Sequence, residues 1–297
     1  MMLAPGELVL ITLLILLSII TIIGNAIVIL VVLKDPCRDL KTAAIVFIVN
    51  LAIADLLLGL VIEPIYCVFL LSSVSTQNLD RISSLLAFAV EASCLTLVAL
   101  AIQRWIIVEM PLRALKIQTP RRLAITIAVI WLLAGFLASL PWLNIKYIDY
   151  DIDYDFFMFD IVGSLLCITL MCVYGRIWVL VRRSTRFRMK FTEINNTVAE
   201  RQPFVLENQE QVIRKERIRE AKVTQLFYLV CGAFIICWMP ASLYVNINKK
   251  DETIGFRICL LAGLLNSALN PLIYSLRNDR FRKALRTEMR QRTCRTR

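Results

Sequence analysis

Asp55 and Glu91 lie inside long apolar runs of this 297-residue chain, and prolines interrupt two further runs at Cys237-Trp238-Met239-Pro240 and Asn270-Pro271-Leu272-Ile273-Tyr274. A charged carboxylate at bilayer depth costs about 2.5–3.5 kcal/mol on insertion scales, so such a group must face protein and find partners. For Asp55 the candidate partners are Ser93, Asn266, Ser267 and Asn270. A proline inside a helix frees a backbone carbonyl that neighbouring helices, side chains or water must satisfy. Pro240 and Pro271 therefore mark deformable, protein-buried points. Bond-making chemistry has little to work with: there is no histidine, no second carboxylate at a catalytic spacing and no metal-ligand set. What these residue types offer is buried hydrogen bonding, cation binding and helix movement.

Membrane helices have to hold these side chains in place. Hydrophobic residues make up 58% of the chain, and its mean hydropathy is +0.69. Apolar stretches long enough to span cover roughly residues 8–33, 43–71, 82–108, 123–143, 156–181, 223–248 and 254–276. This is an all-α membrane protein, a seven-transmembrane helix bundle over 1–276 followed by a short amphipathic tail helix within 277–297. The first stretch holds Gly24 and Asn25 well inside it and lacks a small-residue cleavage pattern, so it reads as a span, not a signal peptide.

Charge sets the orientation. All but five of the 34 Lys and Arg residues fall on one face, in 35–42, 109–122, 182–222 and 277–297 with the adjoining helix ends. That face is cytoplasmic, which places the N-terminus outside and the tail inside. The pI of about 9.4 then reflects topology and anionic inner-leaflet lipid, and no nucleic-acid partner is implied. The long connection continues over 207–222 as a cytosolic extension of the sixth helix, with Glu210, Arg214, Arg217 and Lys222 at helical spacing. Residues 278–290 carry Phe281 and Leu285 on one face among Arg280, Arg282, Lys283 and Arg286, the pattern of a helix lying on lipid. Of the nine cysteines none lies in an outer loop; Cys67 and Cys259 approach the outer boundary and are a candidate pair. Cys294 is a candidate palmitoylation site, the alternative being an unmodified thiol.

One polar or aromatic marker recurs in nearly every span: Gly24-Asn25, Asn50-Leu51-Ala52-Ile53-Ala54-Asp55, Gln103-Arg104-Trp105, Trp131, Tyr174, Cys237-Trp238-Met239-Pro240 and Asn270-Pro271-Leu272-Ile273-Tyr274. In this order they resemble a rhodopsin-like G-protein-coupled receptor, over all seven helices and the tail helix. The resemblance implies a sodium pocket of Asp55, Ser93, Asn266, Ser267 and Asn270 beneath Trp238; water-bridged structural hydrogen bonding is the plainer alternative. It also implies an inter-helix latch between Arg104 and Glu220, against which stands a snorkelling Arg104 and a solvated Glu220. Phe234, Trp238, Pro240 and Pro271 would relay the activating shift, Tyr174 and Tyr274 would swing toward Arg104, and Pro111-Leu112 would dock with Arg104 on the G protein.

Departures from the pattern carry information. The usual acid before the arginine is Gln103, which hydrogen-bonds but cannot hold a guanidinium by charge. Leu79 stands where most members place a cysteine and Leu166 where the fifth helix has proline, a combination resembling the melanocortin, cannabinoid, lysophospholipid and adenosine receptors. Leu86 replaces the ligand-binding aspartate of amine receptors, and Leu264 the retinal lysine of opsins. These residues favour a basic peptide or lipid-like ligand over a biogenic amine, in a pocket lined by Glu63, Tyr66, Leu86, Ala87, Val90, Trp238 and Asn266.

Asp149, Asp151, Asp153 and Asp155 alternate with Tyr150, Ile152 and Tyr154 in the second outer loop, a strip that attracts basic peptides or divalent cations or is only solvated. Glu91, where the family has a small or hydroxylated residue, is open to three readings: structural hydrogen bond, ligand contact or proton-sensitive switch. The resemblance implies a plasma-membrane, multi-pass receptor that catalyses nothing and has no cofactor beyond a sodium ion. Its partners are an extracellular ligand, a heterotrimeric G protein, membrane lipid and a candidate second receptor. A receptor-shaped heterodimer partner that does not couple, or a transporter, is the alternative.

Overall fold

The computed structural model describes residues 5–35, 42–71, 76–110, 118–140, 168–177, 179, 225–226, 228–244, 247 and 254–295. Helix α1 covers Pro5–Lys34, α2 Ala43–Leu71, α3 Thr76–Glu109 and α4 Pro120–Ser139. Two shorter apolar helices follow, α5 over Ile168–Ile177 and α6 over Tyr228–Tyr244. The chain ends with α7 over Ile254–Arg277 and α8 over Asp279–Arg295. At 1.5 Å per residue, twenty apolar residues cross the hydrocarbon layer, and a helix satisfies its own backbone there. Among the described residues, α1, α2, α3, α4 and α7 meet that length and composition. Pro111, Leu112, Glu220, the acidic strip at 149–155 and the extension at 207–222 lie outside the described residues, as does the Cys294 side chain.

Helix boundaries follow local chemistry. The Thr42 hydroxyl accepts from the Ile45 N–H at 3.4 Å to open α2, and Thr119 does the same for Arg122, with Pro120 in the first helical turn of α4. Asn278 Oδ1 accepts from the Phe281 N–H at 3.2 Å and opens α8. Asp35 takes a φ of 29° just past α1, a left-handed conformation that aspartate tolerates better than most residues.

The inward stripe of α1 runs through Leu10, Leu14, Leu17, Thr21, Asn25 and Val28, while Leu13, Leu16, Ile20 and Ile23 face outward. Similar outward residues on α4, α6 and α7, including Leu132, Ile236, Ile258 and Leu272, would be a liability in water and suit lipid. Close approach between helices is set by glycine. A Cβ at Gly24 would sit 3.0 Å from the Pro271 ring of α7, and one at Gly59 would meet Thr21 and Ile22 of α1 at 3.1 Å. In α8, Phe281 and Ala284 are buried against the bundle and Leu285 is half-buried, so the apolar face expected from sequence packs on protein. Cys67 and Cys259 are both free thiols, which corrects the candidate pairing.

A buried side-chain chain ties α2, α3 and α4 together. The Trp131 indole N–H donates to Asn50 Oδ1 at 2.9 Å, Asn50 Nδ2 donates to Thr96 Oγ1 at 2.8 Å, and Thr96 donates to the Ala92 carbonyl at 2.6 Å. Thr96→Val keeps the shape and removes the acceptor for a buried amide. The expected cost is about 1–3 kcal/mol, read as a lower apparent Tm of the purified protein. An unchanged Tm would mean that this chain of bonds contributes nothing.

Candidate functional site

The polar centre lies where α2, α3 and α7 meet. Asp55 is fully buried, and Asn270 Nδ2 donates to its Oδ2 at 2.8 Å. Ser267 also lies within hydrogen-bonding range of the Asp55 carboxylate. Asn25 joins α1 to this level, donating from Nδ2 to the Ser267 carbonyl at 3.1 Å and to the Thr21 carbonyl at 2.9 Å. The structure therefore brings Asp55, Ser267 and Asn270 together, three of the residues expected to share the buried carboxylate.

Among the residues expected to hold sodium, four oxygens, Asp55 Oδ1, Ser93 Oγ, Asn266 Oδ1 and Asn270 Oδ1, are buried and carry no hydrogen bond among the described residues. Orphaned buried acceptors are costly and need a partner. A donor set made only of oxygen, with one carboxylate, suits a hard cation. The residues expected to hold sodium thus fit that ion.

Above the polar centre, Trp238 on α6 lies against α7. A Cβ at Gly263 would stand 2.8 Å from the indole Cε3 and 2.9 Å from Cζ3, so only glycine leaves room for the ring. Phe234 sits one turn below, with ring centroids 6.4 Å apart. Tyr66, Leu86 and Val90 are half-buried against the same apolar core as Trp238. Glu63 is fully buried, with neither carboxylate oxygen hydrogen-bonded among the described residues. Glu91 is buried too, and its Oε2 has no hydrogen-bond partner among them, which leaves the structural-bond reading without support at that atom.

Toward the cytoplasmic end, the side chains expected to move form a connected group. Tyr274 is buried and lies within electrostatic range of Asp55 and Cys231. Cys231 donates its S–H to the Tyr174 hydroxyl at 3.6 Å, and Tyr174 is within electrostatic range of Arg104. The Tyr228 hydroxyl donates to the Tyr174 carbonyl at 2.8 Å, with the two rings 4.8 Å apart. Gln103 is buried and its Nε2 donates to Gln118 Oε1 at 3.3 Å, so the residue before Arg104 is tied to the start of α4.

The arrangement from the middle of α1 into α7 matches a known pattern. The family model described as 7 transmembrane receptor (rhodopsin family) matches residues 24–274, from the Gly24 contact to Tyr274. The chain belongs to this family. The receptor is 31% identical over 295 residues to the histamine H2 receptor of Cavia porcellus, covering 91% of this chain and 76% of that relative. It is 28% identical over 303 residues to the alpha-1A adrenergic receptor of Oryzias latipes, covering 90% of this chain. It spans 63% of the length of that adrenergic relative. The adenosine receptor A3 of Ovis aries is 26% identical over 300 residues, covering 92% of the receptor and 87% of the relative. Adenosine receptors are among the groups that the departures at Leu79 and Leu166 resemble; histamine and adrenergic receptors are not.

Sequence reasoning missed Gly263, Cys231 and the role of Gly59. Isolated glycines inside helical patterns were the available signal, because such a glycine costs helix stability unless packing requires it. Cys231 gave no signal, since a lone cysteine in an apolar run is ordinary.

Proposed function

We propose that the receptor sits in the plasma membrane with its N-terminus outside, binds an extracellular ligand between the outer halves of its helices, and activates a cytosolic heterotrimeric G protein by outward movement of α6. It catalyses nothing itself. The observation that supports this reading is one buried cluster that holds Trp238, Phe234, Cys231, Tyr174 and Tyr274, in which Cys231 donates to Tyr174 and Tyr174 lies within electrostatic range of Arg104. A ligand pressing on Trp238 has a packed route to the arginine 134 positions away in sequence order, because buried side chains have few alternative arrangements and switch as units. Sodium held by Asp55, Ser93, Asn266, Ser267 and Asn270 would supply positive charge that favours the compact polar centre. Pro111 and Leu112, with Arg104, are the proposed G-protein contacts, and Glu220 the proposed latch partner. Cys294 is a proposed lipid attachment point, and a second receptor a proposed partner.

The ligand reading stays with a basic peptide or lipid-like molecule. The histamine H2 relative carries an amine in its name, yet Leu86 leaves this chain without a carboxylate at that α3 position. The pocket is proposed to comprise Glu63, Tyr66, Leu86, Ala87, Val90, Glu91, Trp238 and Asn266.

The test uses spin labels at the cytosolic ends of α3 and α6, with G-protein dissociation measured on the same preparation. The distance is expected to lengthen when transducer is added. Gln103→Asp sets a carboxylate beside Arg104, and a partly exposed pair of this kind contributes up to about 1 kcal/mol. Ligand-free dissociation should fall about two- to fivefold and the short-distance population should grow, with Gln103→Asn as the uncharged control. A distance that never changes under any addition would end the signalling proposal.

A further inference from the structure

The course of α2 changes between Asp55 and Glu63. Residues Leu58–Ile62 form a π-helical turn, in which hydrogen bonds span one residue more than in an α-helix. The turn is held from outside: the Ser18 hydroxyl of α1 donates to the Gly59 carbonyl at 2.8 Å, and Gly59 lacks the Cβ that would strike Thr21 and Ile22. An α-helix advances about 100° per residue, so eight uninterrupted residues would leave Glu63 about 80° away from the direction of Asp55. One inserted residue brings it back to within about 20°, on the same inward face.

The result is a carboxylate with nothing to bind. Glu63 is 0% exposed, and neither Oε1 nor Oε2 has a hydrogen bond among the described residues. A buried acid of this kind is retained at a cost unless a partner arrives, because an unpaired charge in a low-dielectric interior is expensive. Its electrostatic neighbour Asp55 is a carboxylate of like charge, already bonded by Asn270, and cannot serve as its partner. On α3, Leu86 and Val90 of the proposed pocket are apolar, and Glu91, its acid on that helix, is buried and of like charge, so none of them offers Glu63 a partner.

We propose that Glu63, turned inward by the π-helical turn, is the anionic counter-group for a positively charged nitrogen on the extracellular ligand. The inference rests on the receptor reading above and deepens it by naming the chemistry the ligand carries. The recognised group is a protonated amine or a guanidinium on a basic side chain of a peptide, the cationic ligand class favoured above; a small amine carries the same chemistry and is the other outcome that the test separates. Oxygen-only recognition from one carboxylate gives directional, charge-assisted hydrogen bonds to either, and guanidinium alone can use both oxygens at once.

The test compares the full-length receptor and Glu63→Gln in nanodiscs. The probes are a set of small primary amines, a set of short Lys- and Arg-rich peptides, their acetylated or neutral isosteres, and a neutral lysolipid. Binding is read by the probe-induced shift in apparent Tm, and signalling separately by G-protein dissociation. At least one cationic probe should stabilise the unmodified receptor, and its apparent affinity should fall about 30-fold or more in Glu63→Gln. The neutral isosteres should act equally on both proteins. Glu63→Gln should itself melt no lower than the parent, which separates lost recognition from lost folding. Which probe set responds decides between small amine and peptide.

The proposal is overturned if cationic probes bind both proteins alike, if no cationic probe binds, or if only the neutral lysolipid does. Binding without dissociation under any condition would sink the signalling reading and leave the counter-charge standing.

Discussion

Gly263→Ala is expected to destabilise the receptor by about 1–3 kcal/mol and to alter its ligand-free activity, although it adds a single methyl group. The added carbon would lie 2.8–3.0 Å from three atoms of the Trp238 indole, closer than carbon atoms pack. An indole is rigid, and this one is buried between α6 and α7, so relief requires the whole ring to turn or the two helices to part. Either movement displaces the residue proposed to sense ligand. The check is a double-mutant cycle with Trp238→Phe, whose smaller ring leaves room for the methyl. The cost of Gly263→Ala should shrink by more than half in that background. If the two substitutions are additive in apparent Tm and in basal G-protein dissociation, the ring and the glycine are not coupled.

Asp55→Asn is expected to abolish the response to sodium and keep the fold. Asparagine offers an oxygen to Asn270 Nδ2, so the 2.8 Å bond can persist, but the negative charge is gone. In the parent, raising sodium against a constant ionic strength should depress ligand-free dissociation and raise the apparent Tm. Asp55→Asn should flatten both curves. Asp55→Ala removes the acceptor as well, leaving a buried amide unsatisfied, and should cost a further 1–3 kcal/mol or about that. Parallel sodium curves in parent and Asp55→Asn would reject the sodium site, whatever the stability of either variant.

Much of the bundle was readable because membrane helices obey few rules. Apolar length located α1, α2, α3, α4 and α7 to within a few residues, and the mixed face around Phe281 located α8. The grouping of Asp55, Ser267 and Asn270 was readable as well, since a buried carboxylate must be shared with whatever polar groups the neighbouring spans carry. The π-helical turn was not readable. Pro64, just past it, lacks the N–H that would bond the Leu60 carbonyl and so signals a break, but the form the break takes depends on Ser18, 41 positions before Gly59, whose hydroxyl meets the Gly59 carbonyl. The direction of Glu63 was hidden for the same reason: register beyond an insertion cannot be counted from spacing. Gln103 shows a similar limit. Its inability to hold Arg104 by charge followed from its type, but its bond to Gln118 depends on how the chain returns to α4.

The attachments of α1 have a mechanical corollary. It is fastened at three depths: Glu7 to Arg257 of α7 at 3.2 Å near one end, Asn25 to the Ser267 carbonyl midway, and Lys34 to the buried Glu288 of α8 at the other. One such rivet is worth little, but three along a single rod remove sliding, tilting and rolling together. Helices α1, α7 and α8 then behave as a chassis, and a reporter fixed to α1 offers a stationary origin from which the travel of α6 can be surveyed.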